Sequence, residues 1–158
     1  MSDVPIDAED YDSRPETWEH IHTVQRHLLD FAARLTRRGH AHDQSKLVKP
    51  ELALFDEATP KLKDLEYGSE EYKQALAELK PALDHHYAKN SHHPEHYPEG
   101  VDEMTLMDIV EMFCDWKAAT ERMHDGNIRQ SLDHNRKRFN ISDQLNKIFE
   151  NTVKELGW

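Results

Sequence analysis

The chain has 158 residues, a length that fits a single domain, and its 20 basic and 31 acidic side chains give a formal net charge of −11. This charge repels phosphate backbones and anionic lipid, so it disfavours a nucleic-acid polymer or a membrane surface as the partner. A single cysteine, Cys114, excludes an internal disulfide framework, and no apolar run in the sequence is long enough to span a membrane. We therefore expect a cytoplasmic protein with one hydrophobic core.

The beginning of the chain predicts an arm followed by a long helix. Residues 1–14 are acidic and aperiodic, so we expect a flexible arm there and one helical domain over residues 15–158. The first helix is predicted over Glu16–Arg38, with Gly39 as the left-handed residue that ends it. Its apolar side chains recur in steps of three and four and form one stripe: Trp18, Ile21, Val24, Leu28, Phe31 and Leu35.

The remaining segments also have helical patterns, and none alternates as a strand does, which predicts an all-α protein of about six to seven helices. Prolines and capping residues set the predicted boundaries. The first of these segments are a short helical piece at His42–Lys46, a helix at Pro50–Ala58 closed by Pro60, and a helix from Ser69 to Tyr87 that Pro81 kinks or divides. Then follow a loop at Asn90–Glu103, a helix from a Thr105–Asp108 capping box to His124, and helices at Asn127–Phe139 and Ser142–Leu156.

Histidine is the unusual feature of the composition, with twelve in the chain, and the histidines form clusters. In the pair His42-Asp43, imidazole and carboxylate can both reach one divalent ion, and the carboxylate can bridge to a second. Either one of His85 and His86 is a ligand while the other contacts a substrate oxygen, or both straddle two ions. His92 and His93 lie in the predicted loop, where they could close over a substrate.

A row of acids on a later helix points to the same chemistry. Asp108, Glu111 and Asp115 fall within an arc of about 60° on a helix, and burying three acids together is costly without cations. A metal ion or basic side chains would offset that cost. The basic residues closest in sequence to the clusters, and so the candidates to bind phosphate, are Lys46, Lys89, Lys117 and Arg122.

The order of these parts resembles the HD superfamily of metal-dependent phosphohydrolases. The string His20-Ile21-His22-Thr23-Val24 matches the histidine and valine on the first helix of those proteins, and His42-Asp43-Gln44-Ser45-Lys46 matches their HDIGK motif. Residues 85–116 look like the HD-GYP branch, with Tyr97-Pro98 as its Tyr-Pro and Asp115 as its last ligand, although Tyr87 stands where that branch has a glutamate. The chain is also similar to small bacterial and phage proteins that carry an HDxSK motif.

The resemblance implies a set of site residues for an HD-type fold. His20, His42, Asp43 and Asp115 would hold a divalent ion, and His85 or His86 would complete a first or second centre. In the implied hydrolysis Asp43 orients the attacking water, Lys46 neutralises the phosphate, and His92 or His93 protonates the leaving oxygen. The residues expected to bind substrate are Lys46, Lys89, Asn90 and Arg122.

The expected function is therefore hydrolysis of a phosphoester in a small phosphorylated molecule, preferably a nucleotide, by one or two ions of manganese, iron, cobalt, nickel or zinc. Two alternatives stay open. Some proteins similar to this superfamily are di-iron oxygenases, which need about six His and Asp ligands. A non-catalytic module that binds metal or nucleotide is the other. The last two helices could also form a homodimer interface.

Overall fold

In a computed structural model, residues 11–63, 70–122 and 126–158 are described, and their six α-helices and three short 3-10 helices confirm the predicted all-α class. No strand occurs in these ranges. By its internal contacts the chain divides into two compact units, residues 1–40 and residues 41–158. None of the described helices is long and apolar enough to cross a membrane. Most of the predicted N-terminal arm, residues 1–10, lies outside the described ranges.

The first unit contains α1, which spans Arg14–Ala41 and is longer at both ends than predicted. The side chain of Asp12 accepts a hydrogen bond from the backbone N–H of Arg14 at the start of the helix, at 3.0 Å. The prediction that Gly39 ends the helix is wrong, because Gly39 keeps helical geometry and the first left-handed residue is Asp43, with φ 55°. The predicted apolar stripe lies on α1, but no residue of this helix is buried.

The second unit contains the other helices. The α-helices are α2 (Glu51–Lys63), α3 (Glu70–Lys89), α4 (Leu106–Glu121), α5 (Ile128–Arg138) and α6 (Asp143–Leu156). The 3-10 helices are Gln44–Leu47, Pro94–His96 and Gly100–Glu103. Thr105, Asn127 and Ser142 are the N-caps of α4, α5 and α6, close to where the sequence predicts these helices to begin.

The predicted end of α2 is wrong. Pro60 is predicted to close this helix but lies inside it, and the helix continues to Lys63 with one backbone donor fewer. Of the kink or division predicted at Pro81, the division does not occur, since Pro81 lies inside the continuous helix α3. The loop at residues 90–103 contains two 3-10 helices. Two predicted boundary residues, Ser69 and His124, lie outside the described ranges.

Two apolar clusters hold the second unit together. The larger lies between α4, α5 and α6, where the rings of Phe113 and Phe149 stack with centroids 5.0 Å apart. The smaller lies between α2 and α3 around Ala82, which is fully buried. The segment between α3 and α4, residues 90–105, joins the larger cluster through the buried Met104, and Tyr97 and Val101 pack against that cluster.

Asp108 adds a polar attachment of this segment at the start of α4. Its carboxylate closes the predicted capping box with Thr105 and also accepts hydrogen bonds from Ser91 Oγ at 2.6 Å and Tyr97 OH at 3.0 Å. Burial alone would raise the pKa of Asp108, but the hydrogen bonds from Ser91, Thr105 and Tyr97 lower it to about 2. One ionised carboxylate therefore ties the loop after α3 to the first turn of α4.

We predict that Asp108→Asn destabilises the protein by about 2 kcal/mol at neutral pH, since each unit of pKa shift corresponds to about 1.4 kcal/mol. The pKa of Asp108 in the folded protein, about 2, lies below the ordinary value of 3.8. The stabilisation by the ionised carboxylate is therefore complete above pH 3.8 and is lost as the pH falls towards 2. Urea unfolding at several pH values measures it. The exposed residue Asp133 on α5 provides the control variant, Asp133→Asn. A difference between wild type and Asp108→Asn that does not change with pH contradicts this account.

Candidate metal centre

The candidate site is built from three segments of the second unit. His42 and Asp43 occupy the turn after α1, where the left-handed conformation of Asp43 precedes the 3-10 helix Gln44–Leu47. Asp and Asn are among the few residues that tolerate this conformation. His86 lies on the last turns of α3, with His92 and His93 in the loop that follows. Glu111 and Asp115 lie one turn apart on α4.

These segments form two groups of side chains that could hold a metal ion. One group is Asp43, His86, His92 and His93, and the other is His42, His92 and Asp115. In each group the ligand atoms, one from each residue, all lie within 4.8 Å of one another. Asp43 Oδ1 lies 3.3 Å from His86 Nε2 and 3.6 Å from His92 Nε2. His92 belongs to both groups and so links them.

Two atoms at this point are buried without a hydrogen-bond partner, Asp43 Oδ1 and His92 Nε2. A buried polar atom without a partner costs free energy, and a carboxylate oxygen costs more than most. Both atoms are electron-pair donors of the kind that bind divalent transition metals. The residues present therefore fit a divalent ion that contacts both atoms.

The charges around the two groups also favour a cation. Asp115 and Glu111 raise the pKa of His42 to about 10, because they stabilise its protonated form. Burial opposes ionisation of Asp43, but His86 and Lys46 hold the pKa of this carboxyl well below its ordinary value. Burial also opposes ionisation of Asp115, but His42 lowers the pKa of this carboxyl. The ionised carboxylates of Asp43 and Asp115 thus lie in this region, and a proton on His42 offsets part of their charge.

His93 has the opposite environment. Its side chain is largely enclosed, and burial together with the neighbouring rings of His92 and His86 lowers its pKa to about 3. It is therefore neutral at physiological pH. Its Nε2 lies 2.9 Å from His86 Nε2, so both rings direct a nitrogen to the same point.

The structure brings together most of the predicted metal ligands. His42, Asp43, His86 and Asp115 belong to the two groups, and the predicted catalytic histidines His92 and His93 join them. His85 is in neither group, because its Nδ1 lies 2.6 Å from Glu51 Oε1. His20 is exposed on α1, in the other unit, and its role as a ligand stays a prediction.

The predicted substrate-binding residues are more dispersed. Lys46 Nζ pairs with Asp43 Oδ2 at 2.7 Å, next to the candidate ligands. Asn90 Nδ2 donates to Ser45 Oγ at 2.9 Å, so this amide helps to hold the site. Lys89 and Arg122 are exposed, and their proposed contact with phosphate stays a prediction.

Lys117, the remaining basic candidate, pairs with Glu121 at 2.8 Å. Its amine also lies over the Trp158 ring, 5.7 Å from the centroid. These contacts occupy the end of α4 and the chain terminus. A role of Lys117 in binding phosphate also stays a prediction.

Glu51, which no sequence pattern singles out, is completely buried, and its Oε2 lies 2.9 Å from His86 Nδ1. Burial opposes its ionisation, but His85, Ser45 and His86 lower the pKa of this carboxyl. In the sequence, a glutamate directly after Pro50 is typical of an ordinary helix start. Nothing local therefore distinguishes this glutamate from a solvated one.

The sequence profile of a family of unknown function, DUF5662, matches residues 9–155 of the chain. Because this match covers most of the sequence, the chain belongs to this family. No curated protein and no solved structure matches the chain. The family match therefore identifies no substrate, cofactor or reaction.

We predict that manganese or zinc stabilises the protein against urea, because an ion that binds only the folded state adds about 2.7 kcal/mol at 100 times its Kd. Asp43→Asn removes the charge of the central ligand and should abolish most of this gain. Asp56→Asn, at an exposed position on α2, should leave it intact. Equal stabilisation of wild type and Asp43→Asn by the metal would contradict the assignment of the site.

Proposed function

We propose that this chain is a metal-dependent phosphohydrolase of the HD type that cleaves a phosphoester in a small molecule, preferably a nucleotide, in the cytoplasm. The observation that supports this most is the buried Asp43 Oδ1, which has no hydrogen-bond partner and faces the Nε2 atoms of His86 and His92. The HD-type order of ligands along the chain, from His42-Asp43 to His86 and Asp115, gives further support.

A divalent ion bound in such a site lowers the pKa of a coordinated water towards 7 and polarises a phosphoryl oxygen. The two oxygens of Asp43 then have different tasks. Oδ1 faces the histidine nitrogens, whereas Oδ2 accepts from Lys46 Nζ at 2.7 Å. Asp43 can therefore hold the attacking water while Lys46 offers its positive charge to the phosphate next to it.

The two loop histidines have different surroundings and so different proposed roles. His92 Nδ1 lies 3.1 Å from Glu111 Oε1, which leaves its Nε2 for an ion. His93 is neutral and lies between His86 and the half-buried Tyr87, with ring centroids 4.8 Å and 5.0 Å away. We therefore assign His92 to metal binding, whereas the neutral His93 can accept a proton or bind the ion but has no acidic proton to give to the leaving oxygen.

A small substrate suits the charge of the chain better than a polymer does. The net charge of −11 repels a long polyanion along its whole length. A single phosphate group needs only the local charge of the ion and of Lys46. A nucleotide is therefore the preferred substrate class within this proposal.

The test combines elemental analysis with phosphate release. Purified wild type should contain a transition metal and release phosphate from at least one member of a panel of nucleoside mono-, di- and triphosphates with added manganese. Asp43→Ala and His86→Ala should lose both the metal and the activity, because each removes a ligand. His134→Ala, at an exposed position on α5, is the matched control and should keep both. Wild type with a full complement of metal but no phosphate release from any nucleotide contradicts the proposal.

A second candidate, a di-iron oxygenase, has one specific observation in its favour. The two groups that share His92 together supply about the number of His and Asp ligands that a di-iron site needs. Oxygen consumption by the ferrous protein separates the two functions, because hydrolysis of a phosphoester proceeds without oxygen. Nucleotide binding without turnover in either assay would instead indicate a binding module.

A further inference from the structure

Behind the candidate ligands lies a carboxylate that belongs to neither metal group, Glu111 on α4. Its Oε1 lies 2.9 Å from His42 Nδ1 and 3.1 Å from His92 Nδ1. The side chain of Glu111 is only 11% exposed, so water competes little for these contacts. One oxygen therefore joins two histidines that are 50 residues apart in the sequence.

Glu51 on α2 has the same arrangement on the other side of the site. Its Oε2 lies 2.9 Å from His86 Nδ1, and its Oε1 lies 2.6 Å from His85 Nδ1. Ser45 Oγ donates a further hydrogen bond to Oε2 at 3.0 Å. The side chain is completely buried, so these polar contacts replace its hydration.

The chemistry of these contacts determines which nitrogen of each ring is available. An ionised carboxylate only accepts hydrogen bonds, so the imidazole nitrogen that meets it carries the proton. In His42, His86 and His92 that nitrogen is Nδ1, so Nε2 is the nitrogen that can bind an ion, in His42 once the ion has displaced the second proton. These Nε2 atoms face Asp43 or Asp115 at distances between 3.3 and 3.6 Å.

We propose that Glu111 and Glu51 are positioning residues that fix the tautomer and the ring orientation of His42, His92 and His86. Neither carboxylate belongs to the groups that would hold the ion, and each would act through the histidines it contacts. This inference rests on the proposed metal site. It also accounts for His85, which contacts the second oxygen of Glu51, while its neighbour His86 faces the site.

The first test measures metal affinity. Glu111→Gln and Glu51→Gln keep the shape of the side chain but remove its charge, so each should weaken Co²⁺ binding by about 10- to 100-fold while the stoichiometry is retained. The visible absorption of bound Co²⁺ should also change, because the rings reorient. Glu121→Gln on α4 and Glu57→Gln on α2 are exposed control variants and should bind as wild type does.

The second test needs no variant, so it holds even where a substitution impairs folding. Long-range proton–nitrogen NMR spectra of ¹⁵N-histidine-labelled protein, with and without zinc, report which ring nitrogen carries the proton. His86 and His92 should show a protonated Nδ1 in both states, and the signal of Nε2 should shift when zinc binds.

The outcomes separate this inference from the proposed metal site. A wild type that takes up neither Co²⁺ nor zinc overturns both. If Glu111→Gln and Glu51→Gln bind Co²⁺ as tightly as wild type does, the positioning role alone is overturned. A protonated Nε2 with an unprotonated Nδ1 in His86 and His92 has the same consequence. In that case the two glutamates only fill space behind the ligands.

Discussion

The candidate site of the second unit depends on one atom, the carboxylate oxygen Asp43 Oδ1, which is buried and has no hydrogen-bond partner. Removing a carboxylate oxygen from water is costly unless a hydrogen bond or a cation replaces the hydration. Lys46 satisfies only the other oxygen of this carboxylate. The side chains that surround Oδ1 are imidazoles with their Nε2 atoms turned inwards, and a divalent ion is the partner that suits all of them at once.

The fold supplies this constellation by attaching each segment separately. The apolar cluster of α4, α5 and α6 holds Asp115, whereas the cluster of α2 and α3 holds His86. The loop between these helices carries His92, and Asp108 fastens that loop to the start of α4. Glu111 and Glu51 then hold the imidazole rings, so the orientation of the ligands depends on polar contacts as much as on apolar packing.

The helices could largely be predicted from the sequence, because their periodicity and caps are local. The Thr105–Asp108 capping box is an example, and the structure contains both of its hydrogen bonds. The boundaries at Gly39 and Pro60 were wrong because both residues are compatible with more than one outcome. A glycine can continue a helix, and a proline removes one hydrogen bond without ending the helix.

The candidate site could be predicted only in part, for physical reasons. Clustered histidines and the His42-Asp43 pair indicated metal chemistry, but adjacent helical residues point about 100° apart. Only the tertiary contact of His86 Nε2 with Asp43 Oδ1, at 3.3 Å, shows that His86 faces the site, whereas His85 contacts Glu51. Glu51 itself could not be predicted, because its importance comes from burial among residues distant in the sequence.

A crystal structure of the zinc-soaked protein with anomalous data at the zinc absorption edge tests the central claim most directly. The account predicts an anomalous peak about 2.0–2.2 Å from Asp43 Oδ1 and from the Nε2 atoms of His86 and His92. Absence of any peak among these atoms, with Asp43 Oδ1 hydrogen-bonded to an ordered water instead, would contradict it.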